Sequence, residues 1–204
     1  MKKIKILSYD TETLGLEDPF NSVNQIIEFA MVAATVTIDK DDINLEIFPT
    51  TFRRVIKCPS FDVLKPNLTP WVMEHNKTLI DEAHLKGISD EDFKDDLDDY
   101  LTYVTIDLFD TEPILYLGKS MQSLDAPLLH KHLGWDFIQR WKINRNKIDI
   151  QDITRFLIQQ DKLPIKSASS KSLVEFFGIK DDVNHTAIED SIDMLKIYCK
   201  LLKY

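Results

Sequence analysis

Asp10 and Glu12, two carboxylates two residues apart near the start of the chain, carry the clearest chemical content of the sequence. If residues 4–10 form a strand, side chains at i and i+2 share a face, so both acids project together from its carboxyl end. Like charges held that close repel, and burying them without a partner is costly. A hard divalent cation answers both problems, because Mg²⁺ takes carboxylate and water oxygens. A further acid, Asp125, follows Gly118-Lys119-Ser120-Met121-Gln122-Ser123-Leu124, where a short strand hands over to a helix. The last helix opens on Asn184-His185-Thr186-Ala187-Ile188-Glu189-Asp190, in which Thr186 and Glu189 have the form of a capping box. That box leaves His185 just outside the helix and puts Asp190 in its first turns. Alone, each acid reads as a turn residue or as a helix-start acid favoured by the helix dipole. Together they are four carboxylates and a histidine at strand ends and helix starts, positions that an α/β fold brings to one sheet edge. Asp10-Thr11 also begins like the Asp-Thr-Gly of aspartic proteases, but Glu12 stands third and no second copy exists.

The elements that must position these groups follow from apolar periodicity. Alternation predicts strands over residues 4–10, 25–38 and 45–57, joined as an antiparallel meander. Helical periods begin near residue 69, short over 71–76 and 79–85, then long over 90–108, where Phe93, Leu97, Tyr100, Leu101, Val104 and Leu108 share one face. Pro113 precedes a short buried strand over 114–117, and helices follow over 124–132, 149–160, 171–177 and 186–202. This order gives an α/β fold, a mixed β-sheet of about five strands opened by the meander and flanked by α-helices, in one domain over 1–204.

A chain of 204 residues, 44% of them hydrophobic, has enough apolar material for such a core. Its 34 acids against 25 Lys and Arg, a formal charge of -9, exclude attraction to polyanions by overall charge, so any nucleic-acid contact is local. The charge is uneven: twelve acids fall in 81–112 beside Lys86 and Lys94, whereas 113–180 holds eleven bases against six acids. Solvated surface is the ordinary reading of both stretches, and the basic one gains a phosphate-binding meaning only beside a catalytic site. Cys58 and Cys199 are far apart and support neither a disulfide framework nor a Cys-rich zinc site, which fits a cytoplasmic protein. No window approaches the roughly 20 apolar residues of a membrane span, so no membrane partner is expected.

Tyr9-Asp10-Thr11-Glu12-Thr13-Leu14-Gly15-Leu16, with Ile26-Ile27-Glu28-Phe29-Ala30 after it, resembles the first motif of the DEDDh 3'-to-5' exonucleases. That family includes oligoribonuclease, ribonuclease T, the proofreading subunit of bacterial replicative polymerase and a phage exonuclease A. Asp125 fits the second motif, and His185 with Asp190, five residues apart, fits the third. The resemblance implies a ribonuclease H-like fold and removal of nucleoside 5'-monophosphates from the 3' end of single-stranded RNA or DNA, short oligonucleotides included. It implies Asp10, Glu12, Asp125 and Asp190 as ligands of two Mg²⁺ or Mn²⁺ ions, and His185 as general base. It further implies substrate contacts from Thr13, Leu14, Gly15, Leu16, Trp71, His75 and Ser120, with Gly15 admitting the strand closely and a Leu stacking on a base. The pattern departs at Lys119, where the oligoribonuclease group has Asn, and the run to Asp125 is one residue longer. Ser123-Leu124-Asp125-Ala126-Pro127-Leu128-Leu129 looks closer to the phage enzyme. The implied partner is single-stranded nucleic acid with a free 3' end, its 5' portion running over basic residues such as Arg145 and Lys147, and a homodimer is left open. The alternative is a non-catalytic nucleic-acid-binding or polymerase-associated subunit that keeps the fold; the presence of all five site residues argues against decay.

Overall fold

The computed structural model describes residues 1–15, 23–40, 42–179 and 186–204. Strand β1 (Lys2–Thr13) pairs antiparallel with β2 (Ile26–Asp39), and β2 pairs antiparallel with β3 (Asp42–Val55). The chain then passes through helices α1 (Phe61–Leu64), α2 (Pro70–His75), α3 (Lys77–Lys86) and α4 (Asp90–Tyr103). It returns as β4 (Leu115–Gly118), parallel to β1. Helices α5 (Asp125–Leu133) and α6 (Trp135–Trp141) lead to β5 (Lys147–Asp149), parallel to β4. Helices α7 (Ile150–Gln159), α8 (Ser170–Phe177) and α9 (Ala187–Leu201) follow. The strand order is β3-β2-β1-β4-β5, so both the meander and the mixed five-stranded sheet are present.

Alternation along β1 sorts its side chains between two cores. Leu7 and Tyr9 join Phe93, Leu97 and Leu101 of α4, Leu128 and Leu129 of α5, and Phe137 of α6 on one face. Ile6 joins Ile150 and Leu157 of α7, Leu173 of α8, and Met194, Leu195, Ile197 and Tyr198 of α9 on the other. Burying each such aliphatic side chain is worth ~1.5–3 kcal/mol, so the sheet is clamped from both sides. Among the described residues no helix is long and apolar enough to cross a membrane.

Three local departures from the sequence-based expectation have physical reasons. Strand β1 extends past residue 10, so Asp10 and Glu12 are paired strand residues opposite Ala30 and Glu28 rather than acids of a turn. Part of the expected turn, residues 16–18, lies outside the described residues. The helix expected over 90–108 is α-helical to Tyr103 and continues as a π-helical stretch, Val104–Leu108, where the Thr105 hydroxyl donates to the Leu101 carbonyl at 2.7 Å. Helix α6 and strand β5, seven and three residues long, were not expected, because elements so short give no readable period.

Candidate active site

The even-numbered residues of β1, Ile6, Ser8, Asp10 and Glu12, face α9, so strand alternation alone aims both acids at that helix. Asp190 sits in the first turn of α9. One carboxylate oxygen from each of Asp10, Glu12 and Asp190 lies within 4.8 Å of the others. The start of α9 is fixed as the capping motif predicts: the Thr186 hydroxyl accepts from the Glu189 N–H at 3.4 Å and donates to the Glu189 carboxylate at 3.0 Å.

A second restraint on α9 was not anticipated. Glu28, buried on β2 directly opposite Glu12, accepts from the Ala187 N–H at 3.1 Å and from the Arg53 guanidinium. It thereby docks the positive end of α9 on the sheet and positions Asp190. A lone acid inside the apolar run of β2 was the available signal.

Asp125 is buried in the first turn of α5, where it accepts from the Thr11 hydroxyl at 2.5 Å. Thr11 lies on the opposite face of β1 from Asp10, so Asp125 approaches the strand end from the α5 side. It stands beside the three-carboxylate group rather than within it. The loop before it is shaped by close packing. A Cβ on Gly118 would lie 2.8 Å from Met121 Cγ and 3.2 Å from the Tyr9 carbonyl oxygen, so a larger residue would have to displace Met121 and crowd β1 here. Ser120 adopts a left-handed φ of 60°, held by Asp149, which accepts from the Ser120 N–H at 3.0 Å and the Met121 N–H at 2.8 Å. Asp149 also caps α7 through the Gln151 N–H at 2.9 Å. An Asp just before an amphipathic helix gave the cap away, but not its grip on the 118–125 loop.

The remaining expected residues divide. Trp71 is 41% exposed and stacks on His75, with ring centroids 4.6 Å apart and planes 12° from parallel. Next to that pair, Asn76 donates to the Thr13 carbonyl at 3.1 Å and so ties α2 and α3 to the end of β1, a contact no sequence pattern signals. Thr13 is buried, its hydroxyl donating to the Gly15 carbonyl at 2.9 Å. Leu14 is also buried, packed with Ile27, Leu64, Val72 and Ile80, which assigns it to the core. Gly15 is not demanded by internal packing, since a Cβ there would meet only Asn24 atoms at 3.8 Å or more. Leu16 and His185 lie outside the described residues.

No protein-family model and no curated protein matches the sequence. Solved structures do match in shape. Cell-death related nuclease 4 superposes with a TM-score of 0.66 at 15% identity, over 97% of this chain and 63% of that one. Exonuclease I of E. coli, in complex with a 5cy-dA13 oligonucleotide, gives 0.65 at 17% identity over 98% and 40%. A full-length 3'-exonuclease gives 0.59 at 15% identity over 98% and 81%. The chain shares the fold of these solved nucleases. It spans less than two thirds of the length of the first two of these neighbours.

Within this fold the carboxylates strain against one another. Burial, then the charges of Asp125, Asp190 and Glu12, hold the Asp10 carboxyl well above the usual range, with Lys119 pulling the other way. Glu12 is pushed up to about 8, by burial first and then by Asp190, Glu28 and Asp125. Asp125 is raised to about 6 by burial, against the Thr11 hydrogen bond that favours its charged form. The donors are all hard carboxylate oxygens, and a divalent cation among them would relieve both the burial penalty and the repulsion, so the residues fit Mg²⁺ or Mn²⁺.

The sign of the resulting pH dependence is fixed. A carboxyl whose value is raised on folding contributes stability that is full below its unfolded value, 4.5 for Glu12, and is lost as pH rises through about 8. In EDTA the melting temperature should therefore fall between about pH 5 and about pH 8, and Mg²⁺ should restore more at the upper end than at the lower. Thermal melts with and without the ion check this; a metal-independent melting temperature across that interval would contradict it.

Proposed function

We propose that the chain is a divalent-metal-dependent 3'-to-5' exonuclease. On this reading the domain, residues 1–204, works in the cytoplasm on single-stranded RNA or DNA and releases nucleoside 5'-monophosphates. The observation that carries the reading is the convergence of Asp10, Glu12 and Asp190 within 4.8 Å, from opposite ends of the chain, with Asp125 beside them. The fold shared with nucleases, one of them solved with an oligonucleotide, supports it.

Asp10, Glu12, Asp125 and Asp190 would hold two Mg²⁺ or Mn²⁺ ions. Such ions, when bound, neutralise charge on a scissile phosphate, activate water and stabilise a leaving oxygen. The chain's own residues supply the rest. Thr11 orients the Asp125 carboxylate, Glu28 fixes the helix that carries Asp190, and Asp149 holds the loop between β4 and α5. His185, one residue before the α9 cap, accepts the proton of the attacking water. The exposed Trp71–His75 stack offers a flat apolar surface to a base.

The test is digestion of matched 5'-labelled RNA and DNA oligomers with Mg²⁺ or Mn²⁺. The expected product is a ladder shortened one nucleotide at a time from the 3' end, with free nucleoside 5'-monophosphates and no reaction in EDTA. Full activity in EDTA, or cuts in a circular single strand, would overturn the proposal.

A further inference from the structure

Lys119, the residue at which the sequence departs from the oligoribonuclease pattern, borders a cavity of about 520 Å³. Gln151 and Arg155 of α7 line it, and so do Lys166, Ser167 and Ser169 from the segment before α8. Spacing of four along α7 puts Gln151 and Arg155 on one face, while Ile150 and Leu157 turn into the core, so a polar helix face becomes a wall. The half-buried Lys119 ammonium feels the charges of Asp10, Asp149 and Asp125 and also that of Arg155. It stands between the carboxylate cluster and the cavity.

Three cations thus converge on one cavity of a chain whose formal charge is -9. Among the described residues, none of Lys119, Arg155 and Lys166 forms an ion pair. Asp10, Asp149 and Asp125 act on Lys119, but Arg155 and Lys166 add further positive charge around the cavity, which an anion with several oxygens balances. The Arg fork and the Ser167 hydroxyl match phosphate oxygens in particular, whereas the Ser169 hydroxyl is taken up with Ser172 in the α8 cap. The substrate class follows from the chemistry of the proposed reaction, on which this inference rests. A strand with a free 3'-hydroxyl has no phosphate beyond the scissile one on the 3' side, so any second phosphate that the protein holds lies 5' of it.

We infer that this cavity binds the phosphate next upstream of the scissile phosphate, through Lys119, Arg155 and Lys166. The site selects strands that carry an upstream phosphate over dinucleoside monophosphates that lack one. The path of the strand is then over α7, not over Arg145 and Lys147. Arg145 is exposed in the loop before β5, and the Lys147 ammonium is engaged by the Gln122 side chain.

Three substrates separate the sources of that phosphate: a dinucleoside monophosphate with only the scissile group, the same dinucleotide with a 5'-phosphate, and a 5'-hydroxyl trinucleotide with an internal diester upstream. In Mg²⁺, Arg155→Ala and Lys166→Ala should each lower the ratio of kcat/KM for the phosphate-bearing substrates to that for the first by about tenfold, mainly through KM, the size of one charged hydrogen bond. A drop confined to the 5'-phosphorylated dinucleotide assigns the cavity to a terminal monoester, and a drop for the trinucleotide assigns it to the diester. Ratios within twofold of wild type in both variants, or a drop only in Arg145→Ala, would overturn the inference. Failure of the wild type to cleave all three would instead sink the exonuclease reading. Calorimetric binding of the same oligonucleotides in Ca²⁺ would still decide the cavity, an affinity loss of about tenfold in Arg155→Ala supporting it and equal affinity refuting it.

Discussion

Asp10→Asn should leave the protein folded and lower its turnover by about three orders of magnitude or more, the scale on which charge stabilisation at a phosphoryl centre acts. The side chain sits on a central strand whose pairing with β2 does not involve it, and Asn keeps its shape. What is removed is one charge from a cluster in which burial, Asp125, Asp190 and Glu12 all oppose ionisation. In EDTA the variant should therefore melt at or above the wild-type temperature, each kcal/mol of relieved repulsion being worth about 2–4 °C in a chain of this size. Asp190→Asn, which touches the same cluster from α9, should behave alike. Single-turnover rates in saturating Mg²⁺, paired with melts in EDTA, make the comparison. A variant that unfolds, or one that retains more than a tenth of wild-type turnover, would count against a ligand role.

His185→Ala should reduce turnover by roughly two to four orders of magnitude while metal affinity changes little, the usual size of a general-base contribution. In sequence the residue precedes the Thr186 cap that fixes α9 and lies five positions before Asp190. An unperturbed imidazole titrates near 6.5, with neighbouring carboxylates raising that value and cations lowering it, so it can accept a proton near neutral pH. The wild-type rate should rise with pH through the histidine's titration, and the variant should lose that limb of the profile. Turnover across pH at saturating Mg²⁺, with calorimetry for the ion, separates the roles. Loss of metal binding as deep as in Asp190→Asn would make His185 a ligand instead of a base.

The convergence of Asp10, Glu12 and Asp190 was legible in the sequence because acids at strand ends and helix starts are local features. Asp10, Glu12 and Asp190 needed only the two-residue period of a strand and one capping box to be assigned to one edge. What the chain does not advertise is tertiary support. Asn76 meets the Thr13 carbonyl across 63 positions and Glu28 meets Ala187 across 159, and no periodicity encodes a contact at such range. Leu14 was ambiguous for a related reason. An apolar residue after an acid-bearing strand serves a base or the core equally well, and the α1–α3 cluster that buries it is too irregular to foresee. Likewise the basic stretch was visible as composition, but only the amphipathic turn of α7 decides which of its cations share a cavity.

Helix α9 carries Asp190 and also fills the core against β1 and β2 with Met194, Leu195, Ile197 and Tyr198. During synthesis, Asp10 and Glu12 leave the ribosome long before that helix exists. A chain under synthesis therefore presents Asp10 and Glu12 without Asp190, beside an unfilled sheet face, until α9 has been made. On the proposed reading, the group of carboxylates that would hold the metal ions stays incomplete until that last step of folding joins the two ends of the fold.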